Sequence, residues 1–365
     1  MTGTSMDGID LALIELDADA SPTNPVTQQP RLLGFLSRPM PDALRDQLQA
    51  LQQGHLDDGI DAAARAGVAL SMEIAKGVHA LRAQHPRLEI AGVGVHGQTI
   101  RHRPERGYSL QLLHAPTIAE QTGLHVVYDF RNRDVAAGGQ GAPLVPAFHA
   151  ALLKGQTGSG ILNLGGIANL TLIRPGEEVL GFDTGPGNTL LDAWAQEQTG
   201  QAMDPGGRLA ESGRVIDPLL QSLLADPFFA AAPPKSTGRD HFHLAWLESR
   251  CLAAGLDLQT LPPDDVQRTL VALTAHSIAR QCPTDVTALY ACGGGVHNPV
   301  LMQALSAALG RTLQTTDALG WPSQSIEAAA FAWLAQACVT RRPGNLPSVT
   351  GAVGPRVLGS ICPAH

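Results

Sequence analysis

The sequence predicts an α/β fold made of two similar halves. Short apolar strands alternate with helical stretches, an order typical of sheets that are largely parallel. The 39 glycines among the 365 residues are clustered. Each half also opens with a glycine turn that feeds an alternating strand, TGTSMDGIDLALIEL at 2–16 and NLGGIANLTLI at 163–173. At roughly 150 residues per domain, a chain of this length fits two domains.

The first half is predicted to contain four strands and two helices. Alternation of Ile9, Leu11 and Leu13 indicates a strand, and leucines at helical spacing after Pro41 indicate a helix. The other elements follow from apolar runs and from an alanine-rich stretch. In order, the predicted elements are strands 9–16 and 31–36, helices 41–53 and 58–83, and strands 88–95 and 125–128.

The second half is predicted to begin near 158, after a glycine-rich junction at 132–142. A strand, a Gly-Gly turn and another strand predict a hairpin at 160–173. Asn188 is the predicted N-cap of the helix that follows the next strand. The later elements are strand 178–183, helices to about 224, loop 233–240, helices 242–255 and 264–282, strand 285–292, a helix from Asn298, helix 326–338 and an irregular tail after 341.

Composition excludes several function classes. The 25 Lys and Arg against 33 Asp and Glu give a formal charge of −8, without a basic tract. Such a chain is a poor candidate for binding nucleic acid or a membrane surface. No apolar run is long enough to span a membrane, and no signal peptide opens the sequence. Five scattered cysteines without a CxxC pair indicate reduced thiols and a cytoplasmic location.

The first candidate motif is Gly3-Thr4-Ser5-Met6-Asp7-Gly8-Ile9-Asp10. Glycines let a ligand approach the backbone, and hydroxyls with exposed amides suit phosphate oxygens. Asp7 is a candidate Mg²⁺ ligand through water, because Mg²⁺ gives up its hydration shell reluctantly. The motif lacks the Gly-Lys-Ser/Thr ending of a P-loop. A plain hairpin turn with local side-chain bonds is the alternative interpretation.

The second motif, Gly181 to Asn188, places a carboxylate at a strand end before a glycine loop and a helix. This arrangement suits acid–base chemistry beside an anion. Asp183 fits the role of general base better than Asp192, which lies inside the helix. The alternative is a turn with an aspartate cap.

Three further segments carry candidate residues. The triple glycine 293–295 between a strand and a helix admits a flat group such as adenine, although a tight turn is the alternative. His96-Gly97-Gln98-Thr99 and Asp129-Phe130-Arg131 follow strands, where α/β proteins place ligands. Arg131 could hold a carboxylate; a buried His96 and a surface pair between Arg131 and Asp134 are the alternatives. Lys235, Arg239 and Asp240 lie in a polar loop that is equally well explained by solvation.

Other catalytic schemes lack their motifs. The sequence has no Gly-x-Ser-x-Gly, no GxGxxG after the first strand and no His-Glu-x-x-His. The 13 histidines show no metal-binding spacing. α/β-Hydrolase, dinucleotide-binding and zinc-protease interpretations are therefore disfavoured.

The motifs together resemble the anhydro-N-acetylmuramic acid kinase family. The matching segments span the chain in family order: GTSMDGID (3–10), VHGQTIRH (95–102), DFRNRDVAAGGQGAPLVP (129–146), NLGGIANLT (163–171), GFDTGPGN (181–188), PPKSTGRDHF (233–242), CGGGVHN (292–298) and EAAAFAWLA (327–335). This family is similar to hexokinase, actin and heat-shock ATPases. The resemblance implies two actin-like (ribonuclease H-like) α/β domains with a nucleotide cleft between them, one at 1–135 completed by the C-terminal helix 325–365, the other at 136–324.

The resemblance also implies roles for individual residues. Gly3 to Asp10 would form the first phosphate loop, and Gly185 with Gly187 would belong to the second. Gly293, Gly294, Gly295 and Asn298 would carry the adenosine of ATP. Asp183 would be the catalytic base, with Glu327 near the sugar. Gln98 and Arg131 are additional candidates for sugar or lactyl contacts.

The implied reaction joins hydrolysis to phosphorylation. Asp183 would take a proton from water that opens 1,6-anhydro-N-acetylmuramic acid, and ATP with Mg²⁺ would phosphorylate the released 6-oxygen, a step in peptidoglycan recycling. The family resemblance further suggests a homodimer. A different sugar or acetate kinase of the same superfamily and a catalytically impaired ATP-binding protein are the alternatives. The family has an apolar strand before the first loop, whereas only Met1 and Thr2 precede Gly3 here, and we expect a mis-assigned start.

Overall fold

The computed structural model describes residues 1–3, 6, 8–16, 29–54, 58–238 and 240–364. The chain divides into two compact units. Unit 1 contains Met1–Lys154 and Ser325–His365, and unit 2 contains Gly155–Gln324. Unit 1 is therefore assembled from both parts of the chain that flank unit 2.

The strands and helices alternate along the chain, as the sequence predicts. The strands are β1 (Gly8–Glu15), β2 (Arg31–Pro39), β3 (Val93–Gly94), β4 (Gln98–Arg103), β5 (Tyr108–Leu112), β6 (Val126–Tyr128), β7 (Ser159–Leu164), β8 (Ile167–Ile173), β9 (Leu180–Pro186), β10 (Ala288–Cys292), β11 (Gln314–Thr315) and β12 (Ser360–Cys362). The helices are α1 (Asp42–Gln53), α2 (Gly59–Gln84), α3 (Ala115–Thr122), α4 (Asn132–Ala136), α5 (Val145–Leu152), α6 (Thr189–Thr199), α7 (Arg208–Ser212), α8 (Asp217–Leu224), α9 (Pro227–Ala230), α10 (Leu244–Ala253), α11 (Pro263–Ala279), α12 (Pro299–Leu309), α13 (Ile326–Val339) and α14 (Pro347–Thr350).

Unit 1 combines two antiparallel hairpins with a small mixed sheet. Strand β1 pairs with β2, and β4 pairs with β5. Strand β6 lies between β3, which runs parallel to it, and β12, which runs antiparallel. Helix α13 packs against β1, β3 and α5. Its backbone lies so close to β3 that a Cβ on Gly94 would sit 2.2 Å from the Phe331 carbonyl oxygen.

Residues 136–154 belong to unit 1. The glycine-rich junction at 132–142 predicts that they belong to the second domain. The apolar face of α5 packs in unit 1, since Phe148 is fully buried and contacts Trp333 of α13 with ring centroids 6.5 Å apart. Contacts between α5 and α13 thus move the boundary to Lys154/Gly155.

Unit 2 is built on one five-stranded sheet in the order β11-β10-β7-β8-β9. Strands β7, β8 and β9 are antiparallel, whereas β10 and β11 run parallel to β7. In the ribonuclease H-like arrangement, the first three strands are antiparallel. The fourth and fifth strands then run parallel to the first and lie on its free side, as β10 and β11 do beside β7. Helix α11 packs against β9, α6 and α12, and Leu270, Leu273 and Ile278 on it are fully buried in the core. The α/β fold class predicted from the sequence is confirmed.

The structure differs from the predicted elements mainly in unit 1. The strand predicted at 88–95 is reduced to β3, because the three residues of β6 offer pairing partners only for Val93 and Gly94. The β4–β5 hairpin was not predicted, since QTIRHR contains few apolar residues to alternate. Strand β12 lies in the tail that was expected to be irregular, where it pairs with β6. No helix in the described part of the chain is both long and apolar enough to cross a bilayer.

Candidate active site

Asp183 lies in β9, opposite Asn169 of β8. Its carboxylate Oδ2 accepts a hydrogen bond from the Thr237 amide at 2.9 Å, and its own amide donates to the Lys235 carbonyl at 3.1 Å. The 235–237 segment therefore binds both the backbone and the side chain of Asp183. Among the described residues, no hydrogen-bond donor reaches the second carboxylate oxygen, Oδ1, which can therefore accept one from a bound molecule.

The environment of Asp183 makes its carboxyl group more basic than usual. Burial raises the pKa of Asp183 from 3.8 to about 6, while the Thr237 amide and the charge of Lys235 act in the opposite direction. The group is therefore ionised at neutral pH and still close enough to its pKa to accept a proton. A general base works best when its pKa lies near the working pH.

Lys235 is held beside Asp183 rather than extended into solvent. Its ammonium donates to the carbonyl oxygens of Phe228 at 2.9 Å and Phe229 at 3.5 Å, and it lies 4.6 Å from the centroid of the Phe228 ring. The solvated-loop interpretation does not fit this lysine. Asp240 in the same loop is exposed, and Arg239 lies outside the described residues.

Gly185 and Gly187 allow close packing around the end of β9. A Cβ on Gly185, whose φ is +141°, would lie 2.6 Å from the Phe229 ring, and one on Gly187 would lie 2.3 Å from the Gly165 carbonyl oxygen. The Gly187 amide donates to the Gly166 carbonyl at 2.9 Å. Both glycines are thus required by packing, and the Gly187 amide is already used within the protein.

The start of α6 is also tied to the Gly165–Gly166 turn. The amides of Asn188 and Thr189 donate to the carbonyls of Gly165 and Gly166 at 2.9 and 3.0 Å. Asn188 is the N-cap residue of α6, as predicted, but its side chain donates to the Leu164 carbonyl at 3.0 Å and makes no capping bond to the helix. These bonds fix the turn between β7 and β8 against the loop that follows Asp183.

The three glycines at 293–295 differ in the space around them. Gly293 has a φ of +85°, and a Cβ on it would lie 2.5 Å from Asn163 Oδ1; a Cβ on Gly295 would lie 2.7 Å from that of Leu164. Around Gly294 a Cβ would meet nothing within 4 Å. Two of the glycines therefore press against the end of β7, while Gly294 leaves open space.

Asn298 caps α12 with its side chain. Its Oδ1 accepts the Leu301 amide at 3.1 Å. A Cβ on Gly207, at φ +73°, would lie 2.4 Å from the same oxygen. The residue implied to contact adenosine thus has a structural task that fixes where this helix begins.

The first predicted phosphate loop is described only in part. Thr4, Ser5 and Asp7 lie outside the described residues, so the magnesium role predicted for Asp7 stays a prediction. Met6 is buried at φ +56°, and its amide donates to the Gly3 carbonyl at 3.3 Å, which makes a tight turn.

The described residues after the turn belong to β1. Gly8 lies opposite Pro39, and a Cβ on it would lie 3.1 Å from a β2 backbone oxygen. Ile9 is buried in the unit 1 core and pairs with Thr2. The Asp10 amide donates to the Met1 carbonyl at 2.9 Å.

Gln98 contacts the first loop directly. This side chain is buried, and its Nε2 donates to the Gly3 carbonyl at 3.4 Å. Its Oε1 is also buried and has no hydrogen-bond partner. Gln98 therefore supports the loop with one end of its amide and offers an acceptor with the other.

Arg131 and His96 form a buried pair in unit 1. The His96 Nδ1–H donates to the Gly97 carbonyl at 2.7 Å, which leaves Nε2 to accept from Arg131 Nε at 3.1 Å and Nη2 at 2.9 Å. Burial, and then the Arg131 charge, hold the pKa of His96 well below its usual range. Burial lowers the pKa of Arg131 to about 10, against the raising effect of Glu327 and Asp134.

The two carboxylates that raise the pKa of Arg131, Glu327 and Asp134, have different surroundings. Glu327 lies in the first turn of α13, close enough to act on the Arg131 charge. Asp134 is completely buried, and its carboxylate accepts from the Gly141 amide at 2.8 Å and from Asn345 and Thr350 side chains at 2.7 Å. The interpretation of Arg131 and Asp134 as a surface pair is wrong.

Sequence reasoning missed Thr237 and gave Lys235 no role in the site. The signal was present, because both residues lie in PPKSTGRDHF, a segment that carries the family resemblance. The described residues contain no group of three His, Cys, Asp or Glu side chains that could hold a metal ion.

Comparisons with known proteins extend along the whole chain. A family model described as anhydro-N-acetylmuramic acid kinase matches residues 1–364. Proteins of that name from Bordetella pertussis, Burkholderia ambifaria and Bordetella avium are 50%, 49% and 48% identical, and each alignment covers 100% of this chain and 95% of the relative. A solved xylulose kinase from Rhodospirillum rubrum aligns with 14% identity and a TM-score of 0.35 over 88% of this chain and 72% of that chain, too loosely to bear on function.

Proposed function

The chain belongs to the anhydro-N-acetylmuramic acid kinase family, and on that premise we propose how its residues carry out the reaction. The family activity uses ATP to convert 1,6-anhydro-N-acetylmuramic acid to N-acetylmuramic acid 6-phosphate in peptidoglycan recycling. The observation that carries the proposal is the Asp183 carboxylate, half-buried in β9 with one oxygen held by Thr237 and the other able to accept a proton.

Asp183 is the general base of the hydrolytic step. Its Oδ1 accepts a proton from water as the water oxygen bonds to the anomeric carbon of the sugar. The bond between that carbon and the 6-oxygen breaks, and the 6-oxygen takes over the electron pair. This oxygen then bonds to the γ-phosphorus of ATP, and ADP leaves with the electrons of the broken bond.

The nucleotide is bound by the loop from Gly3 to Asp10 and by the triple glycine. Support comes from the tight turn at Met6, which is held to Gly3 and braced by Gln98. The open space around Gly294 is where a flat ligand can approach the backbone. Gly185 and Gly187 contribute by shaping the strand end, since the Gly187 amide is already bonded.

Mg²⁺ accompanies ATP in this proposal. Magnesium in kinases is held by one or two carboxylates together with substrate phosphates, and it neutralises the charge that develops on them. A chain whose described residues lack a group of three ligating side chains fits that mode of binding. Asp7, outside the described residues, stays the predicted protein ligand and would act through water.

The amino sugar is held by unit 1 side chains in this proposal. Arg131 carries a half-buried positive charge suited to the lactyl carboxylate, and Glu327 acts on that charge. Gln98 offers a buried acceptor at Oε1. We also propose a cytoplasmic homodimer. Five cysteines without a disulfide support the compartment, the family resemblance supports the dimer, and light scattering would test the dimer.

The test is ADP release from Mg-ATP, with and without the anhydro sugar, in ¹⁸O-labelled water. The parent protein is expected to give sugar-dependent ADP and a product with one labelled oxygen at the anomeric carbon. Asp183→Asn should fold normally and lose turnover by about 10²–10⁴-fold, the usual contribution of a general base.

Asp192→Asn is the matched control, because Asp192 lies in α6, whereas Asp183 lies in the middle of β9. It should keep turnover within a few-fold of the parent. Near-parental turnover in Asp183→Asn would remove Asp183 as the base. ADP release that does not depend on the sugar would contradict the proposed substrate.

A further inference from the structure

Asp226 is a buried carboxylate with four hydrogen-bond donors around it. Its oxygens accept from the Phe228 amide at 3.0 Å, Trp246 Nε1 at 2.9 Å, Arg250 Nη2 at 2.5 Å and His241 Nε2 at 3.3 Å. Burial alone would raise the pKa of Asp226, but these bonds outweigh it and lower that pKa to about 2. The carboxylate therefore stays ionised throughout the working pH range.

This anchor fixes a short turn at 226–229 that packs against β9 at Gly185. The turn points the carbonyls of Phe228 and Phe229 at the Lys235 ammonium, 2.9 and 3.5 Å away. On the other side, the Phe229 ring fills the space that a Cβ on Gly185 would need. The turn thus touches β9 two residues beyond Asp183 and holds the lysine that follows it in the chain.

Lys235 acts on Asp183 in two ways. Its carbonyl accepts the Asp183 amide at 3.1 Å, which joins the two backbones. Its ammonium is the charged group among the described residues that lowers the pKa of Asp183 against the raising effect of burial. The effect is mutual, because the Asp183 charge opposes the lowering of the Lys235 pKa by burial.

We propose that Lys235 is a positioning residue that keeps Asp183 ionised, and that the turn anchored by Asp226 holds the ammonium in place for this purpose. The proposal rests on the role of Asp183 as general base. The charged groups concerned are Lys235 facing Asp183, with His241 and Arg250 facing Asp226 behind it. Two carbonyl partners and a ring contact fix where the charge of the Lys235 ammonium lies.

The experiment compares pH profiles of kcat and kcat/KM for Lys235→Met and the parent. Removing a neighbouring cation should move the acidic limb upward by about 1 pH unit. At pH 6 that shift corresponds to about a fivefold loss of rate, whereas the alkaline plateau should fall far less. KM for the sugar and for ATP should stay within about twofold, since no ligand contact is removed.

Two further lysine variants sharpen the comparison. Lys235→Arg keeps the cation and should return the limb to within about 0.3 pH units of the parent. Lys76→Met removes a lysine that pairs with Glu73 on the surface of α2, and its profile should match the parent. A shift shared by Lys76→Met would mean that net charge, rather than position, is responsible, and would overturn the proposal.

The anchor is tested through Asp226→Asn and Trp246→Phe. Both weaken the turn that holds the Lys235 ammonium but keep the lysine itself, so the acidic limb should move in the same direction by a smaller amount. Trp246→Phe keeps an aromatic ring and removes one donor to Asp226, which provides a folded variant if Asp226→Asn is unstable.

The outcomes separate the two proposals. An unmoved limb in Lys235→Met, with Asp183→Asn inactive, overturns the positioning role and leaves the base assignment intact. A KM for ATP or sugar raised more than about tenfold without a limb shift assigns Lys235 to ligand binding instead. Activity in Asp183→Asn removes the base assignment itself.

Discussion

At the scale of single residues, Asp183 combines opposing influences on one carboxyl group. Burial favours its neutral form, and the Thr237 amide and the Lys235 charge favour its ionised form. The balance leaves a carboxylate that is charged at neutral pH at some cost to the folded state. A catalytic group of this kind is expected to reduce stability where it is ionised.

Asp183→Asn is therefore expected to stabilise the protein at pH 8 while abolishing turnover. Because the folded-state pKa of about 6 lies above the ordinary value of 3.8, parental stability falls as the pH rises through that interval. Asparagine does not titrate, so the melting temperature of the variant should exceed that of the parent by a few degrees at pH 8, at about 2–4 °C per kcal/mol.

Thermal unfolding at pH 4.5 and pH 8 measures this difference. The gain should be smaller at pH 4.5, where the parental carboxyl is already protonated in the folded state. A gain that is equal at both pH values would show that shape, rather than the buried charge, causes it.

Asp134 is the second residue whose buried charge invites a test. Its carboxylate joins the Gly141 amide to Asn345 and Thr350, so it ties two distant parts of the unit 1 sequence together. Asp134→Ala leaves these donors unpaired in the interior and should lower the free energy of unfolding by about 2–4 kcal/mol.

Urea denaturation would measure that loss. Asp42→Ala is the control, since the Asp42 side chain is 84% exposed and its ion pair with Arg45 lies on the surface. The control should change stability by less than about 0.5 kcal/mol. Equal effects of the two substitutions would contradict the structural task of Asp134.

At the scale of elements, the triple glycine combines a tightly packed residue, Gly293, with one that has open space around it, Gly294. Gly293→Ala forces a side chain to within 2.5 Å of Asn163 Oδ1 at a φ of +85° and should cost about 1–3 kcal/mol of stability. Gly294→Ala meets nothing within 4 Å, so its stability should stay within about 0.5 kcal/mol of the parent.

For nucleotide binding the expectation is reversed: Gly294→Ala, the variant with unchanged stability, should bind ATP more weakly. In Gly294→Ala the new methyl group occupies the open space, so KM for ATP should rise several-fold at unchanged kcat. Steady-state kinetics on the folded protein would check this. An unchanged KM for ATP would mean that the nucleotide does not approach the backbone here.

The same elements show what sequence patterns can and cannot predict. The β7–β8 hairpin and α11 were predicted because Gly-Gly and helical spacing are local signals. The carboxylate at a strand end made Asp183 a candidate for the same reason. Thr237 was missed because its bond to Asp183 spans 54 positions along the chain. Asparagine often caps a helix with its side chain, but the Asn188 side chain donates to the Leu164 carbonyl instead.

At the scale of the whole molecule, the two units differ in continuity. Unit 2 is one uninterrupted segment, Gly155–Gln324, with its own sheet and core. Unit 1 needs α13, because Phe331 contacts His96 and Phe130 with ring centroids 4.6 and 5.4 Å apart. A fragment of residues 155–324 should therefore fold alone, whereas 1–154 should not.

Circular dichroism during heating would compare the two fragments. The 155–324 fragment should show a cooperative transition, and the 1–154 fragment should show a broad one. Adding residues 325–365 to 1–154 through a flexible linker should restore cooperativity. Failure of that fusion would mean that unit 1 also depends on unit 2 to fold.

The discontinuity of unit 1 sets an order of events on the ribosome. Synthesis delivers the whole of unit 2 before α13 has left the exit tunnel, so the second unit can fold while the first still waits for its last helix. The usual rule that N-terminal domains fold first during translation is thereby reversed. A nascent chain that stalls before Ser325 would carry all of unit 2, Asp183 included, but only the part of unit 1 that precedes it.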